Sequence, residues 1–416
     1  MRLGCIADDY TGATDLSSML VRAGLRVVQV FGPESQVELT GADAVVISLK
    51  SRSIPAAEAV AESLRALRYL QSAGVQRYFF KYCSTFDSTP AGNIGPVAEA
   101  LADALGVERI WYCPSFPENG RTVYCGHMFV NGVPLNESGM KDHPLNPMTD
   151  SSLVRVLQAQ CRDRVDVLRL DELRDDHAER CRQPDAARHW IIDAISDSDL
   201  RRIAQLARHA TLLTGGSAIA RFWAEVIVDQ EQCSQQADPD TAPLPAGASV
   251  VLAGSCSLAT RRQIEAFAAS SRPVWKLDVV AAAQGEDAYS LVVDQTVARC
   301  LQDPPALIAS GLDAGDVAAT VAKIGGPRAA ALTESLFGAI ARKLVSQGVN
   351  RIVVAGGETS GAVIAALGID AIRIGEEIAP GVPCVHTLRT PRLSLALKSG
   401  NFGGVNFFTE AVRKLA

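Results

Sequence analysis

Asp8 and Asp9 stand side by side in CIADDYTGAT, residues 5–14, where an apolar run over 1–7 gives way to small and polar residues. Leu16, Met19, Leu20 and Ala23 then recur at helical spacing up to Gly24, a natural helix stop. The apolar run reads as a strand buried on both faces of a parallel sheet, so the two carboxylates fall at a strand-to-helix junction. In open α/β sheets that carboxyl edge is where ligands bind. A helix cap accounts for one acid there, but not for a neighbouring pair.

Three further strand ends carry chemistry of the same kind. ISLKSRS, residues 47–53, leaves Lys50, Ser51 and Arg52 after an apolar run, and FFKYCSTFDST, residues 79–89, offers Lys81, Ser84, Thr85, Asp87 and Ser88. PENGRTV, residues 117–123, presents Asn119 and Arg121. Successive strand ends of a doubly wound sheet face one crevice, so groups far apart in sequence can converge. Arg52 and Arg121 could fork onto a carboxylate, Lys50 or Lys81 would add point charge, and the hydroxyls and amide would read hydroxyl groups. Such a pocket suits a small polyhydroxylated acid. Each residue alone is an ordinary solvated or capping side chain; their repeated placement after strands carries the reading. The polar, proline-punctuated stretch 136–152 either closes over the pocket with Glu137, Lys141, His143 and Asp150 or is a surface excursion.

The second half carries different chemistry. RIVVAGGETSGAVIAAL, residues 351–367, runs from a strand through Gly356 and Gly357 into a helix that Thr359 or Ser360 can cap, an arrangement that presents backbone amides to phosphate. It is neither a dinucleotide fingerprint nor a Walker loop. Glu358 would repel phosphate directly, so a magnesium-bridged or ribose contact suits it. VVLAGSCSLATRRQIEAF, residues 250–267, repeats the arrangement with Gly254, Ser255 and Ser257, and LALKSGNFG, residues 395–403, adds Lys398, Ser399 and Gly400. IAPGVPCV, residues 378–385, is expected to be rigid and to wall a base pocket. Three glycine turns in one half point to a nucleotide site.

The elements that must position these groups follow from length and periodicity. A chain of 416 residues exceeds what one core supports. Strand-like runs at 1–7, 27–31, 44–49, 77–82, 109–113, 190–193 and 211–214 alternate with helical patterns such as Val60, Leu64, Leu67 and Leu70, and the alternation restarts at 249. Residues 229–248, rich in Gln, Asp, Pro and Ala, read as a linker between domains at 1–228 and 249–416. Net charge of −6 and the absence of any basic run argue against a nucleic-acid surface. No apolar stretch approaches the roughly 20 residues needed to span a bilayer, and no secretory leader is expected, since the opening residues lack a leader's basic and apolar regions. Ten scattered cysteines without metal-ligand spacing fit a reducing compartment, so the cytoplasm is expected.

Taken together, IADDYTGATD, SLKSRS, KYCSTFDSTPAGNIGPV, GSCS, GGETSG, APGVP and LALKSGNFG resemble the four-carbon acid sugar kinases, and more narrowly the branch acting on 3-dehydrotetronate (3-oxo-tetronate). The resemblance runs from the first strand to the last fifteen or so residues. It implies an α/β chain of two domains, each a mostly parallel sheet flanked by helices, with the active site in the interdomain cleft. The first domain would hold the acid sugar and the second ATP with Mg2+, for phosphorylation of the terminal (4-) hydroxyl. Carried onto this chain, ATP contacts fall on Ser255, Gly357, Glu358, Thr359, Ser360 and Gly400, and sugar-acid contacts on Asp8, Lys50, Arg52, Lys81 and Asp87; Asp9 and Arg121 join them from the residue reading. Tyr10 stands where phenylalanine is common in the family.

In such a reaction Asp8 would orient the hydroxyl and take its proton, while Asp9 raises one of the two pKa values by like charge, caps, or reaches magnesium. The linker implies closure that excludes water. The partners expected are a small sugar acid and ATP, with a homodimer allowed for. A threonate or erythronate kinase of the same family, or a sugar-acid sensor without turnover, are the alternatives.

Overall fold

The computed structural model describes all residues except 1, 34, 36, 38, 40, 142–145, 175–179, 182, 184, 231–246, 313 and 416. The chain divides into two compact units, Met1–Pro239 and Asp240–Ala416. Most of the expected linker lies outside the described residues; positions 229–230 end a helix and 248 begins a strand.

The first unit is built on parallel strands in the order β2–β3–β1–β4–β11–β5–β10–β9: β1 Leu3–Ala7, β2 Val27–Phe31, β3 Ala44–Ser48, β4 Tyr78–Lys81, β5 Ile110–Cys113, β9 Val165–Leu168, β10 His189–Ile192 and β11 Leu212–Gly215. β1 and β3 are buried at every residue, which is why LGCIA and AVVIS read as unbroken apolar runs. Helices α1 Tyr10–Arg22, α2 Ala56–Ser72, α3 Ile94–Leu105, α4 Leu153–Gln158, α5 Leu170–Arg174, α6 Asp197–Leu206 and α7 Ser217–Gln230 connect them. Register aligns the carboxyl ends: Ala7 lies opposite Ser48 and Lys81, and Gly215 opposite Lys81 and Cys113. A small antiparallel sheet, β6 Arg121–Tyr124, β7 His127–Val130 and β8 Val133–Pro134, projects after β5. Neither it nor β9 stands out in the sequence, because strands this short give too little alternation to detect.

The second unit orders its strands β13–β14–β12–β15–β18–β17–β16: β12 Ala248–Ala253, β13 Val274–Lys276, β14 Ala306–Ala309, β15 Val349–Ala355, β16 Ala371–Ala379, β17 Val382–Thr387 and β18 Ser394–Lys398. Only β17 runs antiparallel to its neighbours. Helices α8 Leu258–Ala269, α9 Val279–Ala282, α10 Glu286–Gln302, α11 Ala314–Ile324, α12 Gly326–Ser346, α13 Gly357–Ala366 and α14 Phe407–Lys414 complete it. Residues 378–385 form the turn and strands of the β16–β17 hairpin, where Ile378, Val382 and Cys384 pack into the core with Phe407 and Phe408. Among the described residues, no helix of either unit is long and apolar enough to cross a membrane.

Phe267 on α8 meets Phe408 edge-on at 6.4 Å and closes this core. Phe267→Ala is expected to cost roughly 3–5 kcal/mol by removing a buried ring and leaving a cavity. Leu258→Ala, at a position 56% exposed, serves as the near-neutral comparison in denaturant unfolding.

Candidate functional site

Asp8 follows β1 directly and is 6% exposed. Asp9 takes an extended backbone and caps α1, accepting from the Gly12 amide at 2.9 Å and from Thr11 Oγ1 at 3.0 Å. Arg52 lies against both acids. Its Nε and Nη2 donate to the two oxygens of Asp8 at 2.8 Å each, and Nη2 is also 2.8 Å from Asp9 Oδ1. Burial pushes the Asp8 carboxyl above its ordinary range, with the Asp9 charge in the same direction and Arg52 and Lys81 opposing. Burial acts on Asp9 too, but Arg52, Lys81 and its two hydrogen bonds outweigh it, so Asp9 is held low.

The loop carrying Arg52 is itself pinned. The Asp8 carbonyl accepts from the Ser51 and Arg52 amides at 2.9 and 3.2 Å. Buried Asn93, at the start of α3, donates through Nδ2 to the carbonyls of Ser51, Arg52 and Ile54 at 2.5, 3.3 and 2.9 Å. Lys81 ends β4 at 3% exposure and donates to the Tyr82 carbonyl at 2.9 Å, and its charge acts on Asp8, Asp9 and Asp15 alike. Asp15 accepts a hydrogen bond from the Ser217 hydroxyl, and burial raises its carboxyl, with the charges of Lys81 and Arg121 opposing. Arg121 keeps a buried Nε without a hydrogen-bond partner among the described residues.

Six charged groups therefore gather at the edge fixed by β1, β3 and β4: Asp8, Asp9, Arg52, Lys81 and Arg121 from the sequence reading, with Asp15 beside them. Asp15 lies inside the IADDYTGATD motif but reads there as one more helical polar residue, and Asn93 reads as loop. Lys50 is exposed and sits 5.1 Å over the Tyr10 ring, apart from the carboxylates. Asp87 accepts from Thr85 Oγ1 at 2.6 Å just after Phe86, whose φ is +55°, and its charge bears on Cys83, as does that of Arg52. In the 136–152 stretch, Glu137 and Lys141 are exposed, Asp150 is held by Arg155 Nε at 2.7 Å, and His143 lies outside the described residues.

In the second unit three turns meet because their strands are adjacent and in register: Ala355 lies opposite both Ala253 and Lys398. Gly254 and Ser255 donate their amides to the Ala355 carbonyl at 2.9 Å each, and Gly356 donates to Lys398 O at 2.9 Å. Only glycine fits at several places. Gly356 has φ +124°, a methyl on Gly254 would strike Thr359 Oγ1, and one on Gly400 would strike Ser255 Oγ. Gly356 starts α13 without a side-chain cap, leaving the amides of its first turn for a ligand. Glu358 is exposed; Thr359 and Ser360 are buried, and Ser360 Oγ has no partner among the described residues. Ser257, which caps α8, donates to Gly400 O at 2.6 Å. Lys398 turns inward beneath this surface, donating to Gly400 O at 2.9 Å and to Thr260 Oγ1 at 3.1 Å, and burial pulls its ammonium down to about 8.

A cavity of about 280 Å3 opens beside Gly254, Glu358 and Thr359. Its other walls come from α9, α11, α12 and the end of β14. The β16–β17 hairpin, expected to wall a base pocket, does not line it.

Known proteins fit this division. A family model described as a sugar-binding N-terminal domain matches residues 3–222, and one described as a nucleotide-binding C-terminal domain matches 250–408. The chain is 49% identical to a 3-oxo-tetronate kinase of Cupriavidus necator, over 99% of this chain and 97% of the relative. It is 50% identical to one of Pseudomonas fluorescens, over 100% and 97%, and 42% identical to one of Salmonella typhimurium, over 100% and 99%. A solved Salmonella typhimurium structure matches with a TM-score of 0.91 at 40% identity over all of both chains. One from Haemophilus influenzae matches at 0.84 and 36% identity over 99% of this chain and 100% of its own.

The carboxylate–guanidinium cluster has a consequence for stability. Arg52→Met strands two acids and is expected to cost up to about 3–5 kcal/mol at neutral pH. The orphaned carboxyls would then bind protons more readily folded than unfolded, so the deficit should shrink as pH falls from 7 to 5. Denaturant titrations of both proteins at the two pH values measure it.

Proposed function

The chain belongs to the four-carbon acid sugar kinase family, and we propose that it transfers the γ-phosphoryl group of ATP to the terminal hydroxyl of 3-oxo-tetronate. Its relatives over nearly the whole length carry that activity in their names, and each half brings the chemistry one reactant needs. The observation carrying the reading of the site is Asp8, a buried carboxylate with a raised pKa at a strand end, set among cations.

Phosphoryl transfer asks little covalent chemistry of a protein; it asks for alignment of the alcohol and for an offset to the charge on the transferring group. Asp8 orients the hydroxyl and accepts its proton, and its raised pKa brings it closer to the working range of a general base. Asp9 stays ionised, caps α1 and keeps Arg52 seated. The sugar carboxylate is drawn by Lys81 and Arg121, while Arg52 stays seated on Asp8 and Asp9 at the floor of the site. Lys50 and Asp87 contact the sugar acid from the rim of the site. In the second unit Ser255, Gly357, Thr359, Ser360 and Gly400 surround the phosphate chain with amides and hydroxyls. Oxygen donors of this turn, Glu358 and Ser255, suit a hard divalent cation such as Mg2+, which when bound screens phosphate charge.

Asp8→Asn keeps the shape and leaves Asp9 to hold Arg52. It is expected to lower kcat by roughly 10²–10⁴-fold while ADP affinity stays near that of the parent. In the parent, kcat/KM should fall on the acid side with a midpoint above the ordinary aspartate value of about 3.9. A kcat within about tenfold of the parent in steady-state assays with ATP and 3-oxo-tetronate would remove Asp8 from the role of base.

A further inference from the structure

His189 opens β10 and so stands at the amino edge of the first unit's parallel strands, opposite the carboxyl edge that carries Asp8. We propose that Glu99, Cys161 and His189 form a binding site there for a divalent cation of the Zn2+ type, separate from any magnesium that accompanies ATP. The inference goes beyond the kinase reading and does not depend on it.

Three elements bring together residues that are far apart in sequence. Glu99 lies on α3, Cys161 on the chain leaving α4, and His189 at the first position of β10. One carboxylate oxygen, the thiol sulfur and one ring nitrogen all lie within 4.8 Å of one another. Ligand atoms of a tetrahedral Zn2+, with bonds of about 2.0–2.3 Å, stand roughly 3–4 Å apart, so small side-chain rotations close the set. Gly95 allows the approach, since a Cβ there would lie 2.8 Å from Cys161 Sγ.

The histidine supplies an independent observation. It is fully buried, and its Nε2 stands 3.1 Å from Glu99 Oε1 without an aligned hydrogen bond, which leaves that nitrogen unpartnered among the described residues. A buried polar atom left so is costly, and a cation held between the two atoms satisfies both. On the other side of the ring, Nδ1 meets the Tyr112 hydroxyl at 3.0 Å and Cys161 Sγ at 3.7 Å. Tyr112 is thus placed to fix the ring, as outer partners of metal-bound imidazoles do. Glu99 Oε1 also accepts from the Arg162 amide at 3.3 Å, which orients the carboxylate. The neighbouring cation, Arg188, is paired with both Asp103 and Asp163, so its charge is already offset.

A thiolate, an imidazole and a carboxylate suit Zn2+, whereas Mg2+ prefers oxygen ligands throughout. On binding, the ion displaces the Cys161 thiol proton to solvent, and the thiolate, the neutral imidazole and the carboxylate each donate one electron pair. Glu99 and Cys161 are half-buried, which gives the ion an entry path and leaves water for a fourth position. Ion and ligands then carry no net charge. Such a site ties α3, the chain after α4 and β10 together. Gln160, next to Cys161, extends the tie by donating to Ser88 Oγ at 2.7 Å and the Thr89 carbonyl at 2.8 Å and accepting from the Gly95 amide at 3.0 Å.

The test needs neither ATP nor sugar, so its failure is distinct from failure of the kinase reading. Full-length protein freed of metal by a chelator is titrated, with its thiols reduced, first with Co2+ and then with Zn2+. The parent is expected to bind one equivalent of Co2+ with a thiolate-to-cobalt charge-transfer band, which Zn2+ abolishes by displacement. Cys161→Ser should lose the band, and both Cys161→Ser and Glu99→Gln should weaken Zn2+ binding by at least about tenfold. Cys125→Ser, which removes an exposed thiol elsewhere, should leave band and affinity unchanged. Melting curves verify folding, and should one of the two site variants fail to fold, the other decides. Absence of the band in the parent, its persistence in folded Cys161→Ser, or Zn2+ affinity unchanged in a folded site variant would overturn the assignment.

Discussion

Arg52 makes it possible to bury two aspartates side by side. Adjacent carboxylates at the end of a fully buried strand would repel each other and lose solvation, and a single guanidinium offsets both costs by forking onto Asp8 while touching Asp9. Much of the first unit's local geometry serves that contact. The register of β1 with β3 brings residue 52 level with residue 8, the Asp8 carbonyl ties down the 51–52 amides, and Asn93 gathers three carbonyls of the same loop. The result is a pair of chemically identical side chains in different states. One is pushed towards protonation by burial, and the other is held ionised by its cap and two cations.

This changes how an anionic substrate would be recognised. Read from sequence, Arg52 is a fork awaiting a substrate carboxylate, but its fork is already filled by protein carboxylates. The cations with charge to spare are Lys81, which donates to the neutral Tyr82 carbonyl, and Arg121, whose Nε is unpartnered among the described residues. Asp15, held by Ser217, keeps both within reach of an acid and so balances a site that would otherwise be strongly cationic.

The strand ends were legible because burial on both faces leaves long apolar runs whose termination is abrupt, as at Ala7 and Ala355. Where a glycine turn follows, its purpose is legible as well. Other parts of the site were not, and for physical reasons. Asn93 acts through a side-chain amide on carbonyls some 40 positions away, which leaves no local pattern. Lys398 sits in an evident glycine turn, yet packing sends its ammonium inward to Thr260 and Gly400, so it shapes the turn from below instead of meeting a phosphate. The walls of the cavity are plain valines and alanines on α11 and α12, indistinguishable in sequence from residues of an ordinary amphipathic helix. The hairpin at 371–387 contains the proline-bearing stretch that looks like a pocket wall, but its alternate residues are taken up by the core.

The two units handle negative charge by different means. The first uses side-chain cations, which can be matched by nearby acids and tuned through burial. The second offers backbone amides at an uncapped helix start, where each dipole is fixed in direction and contributes no net charge. An amide cradle alone leaves most of a triphosphate's charge uncompensated, and Glu358 at its mouth adds to the deficit. A carboxylate in that position is an impediment to bare nucleotide and an asset to a metal-bound one, since an oxygen ligand favours the divalent cation that the phosphates also bind. In the proposed reaction Glu358 would thus select the magnesium complex over free ATP, and the neutral amides would suffice for the remaining charge.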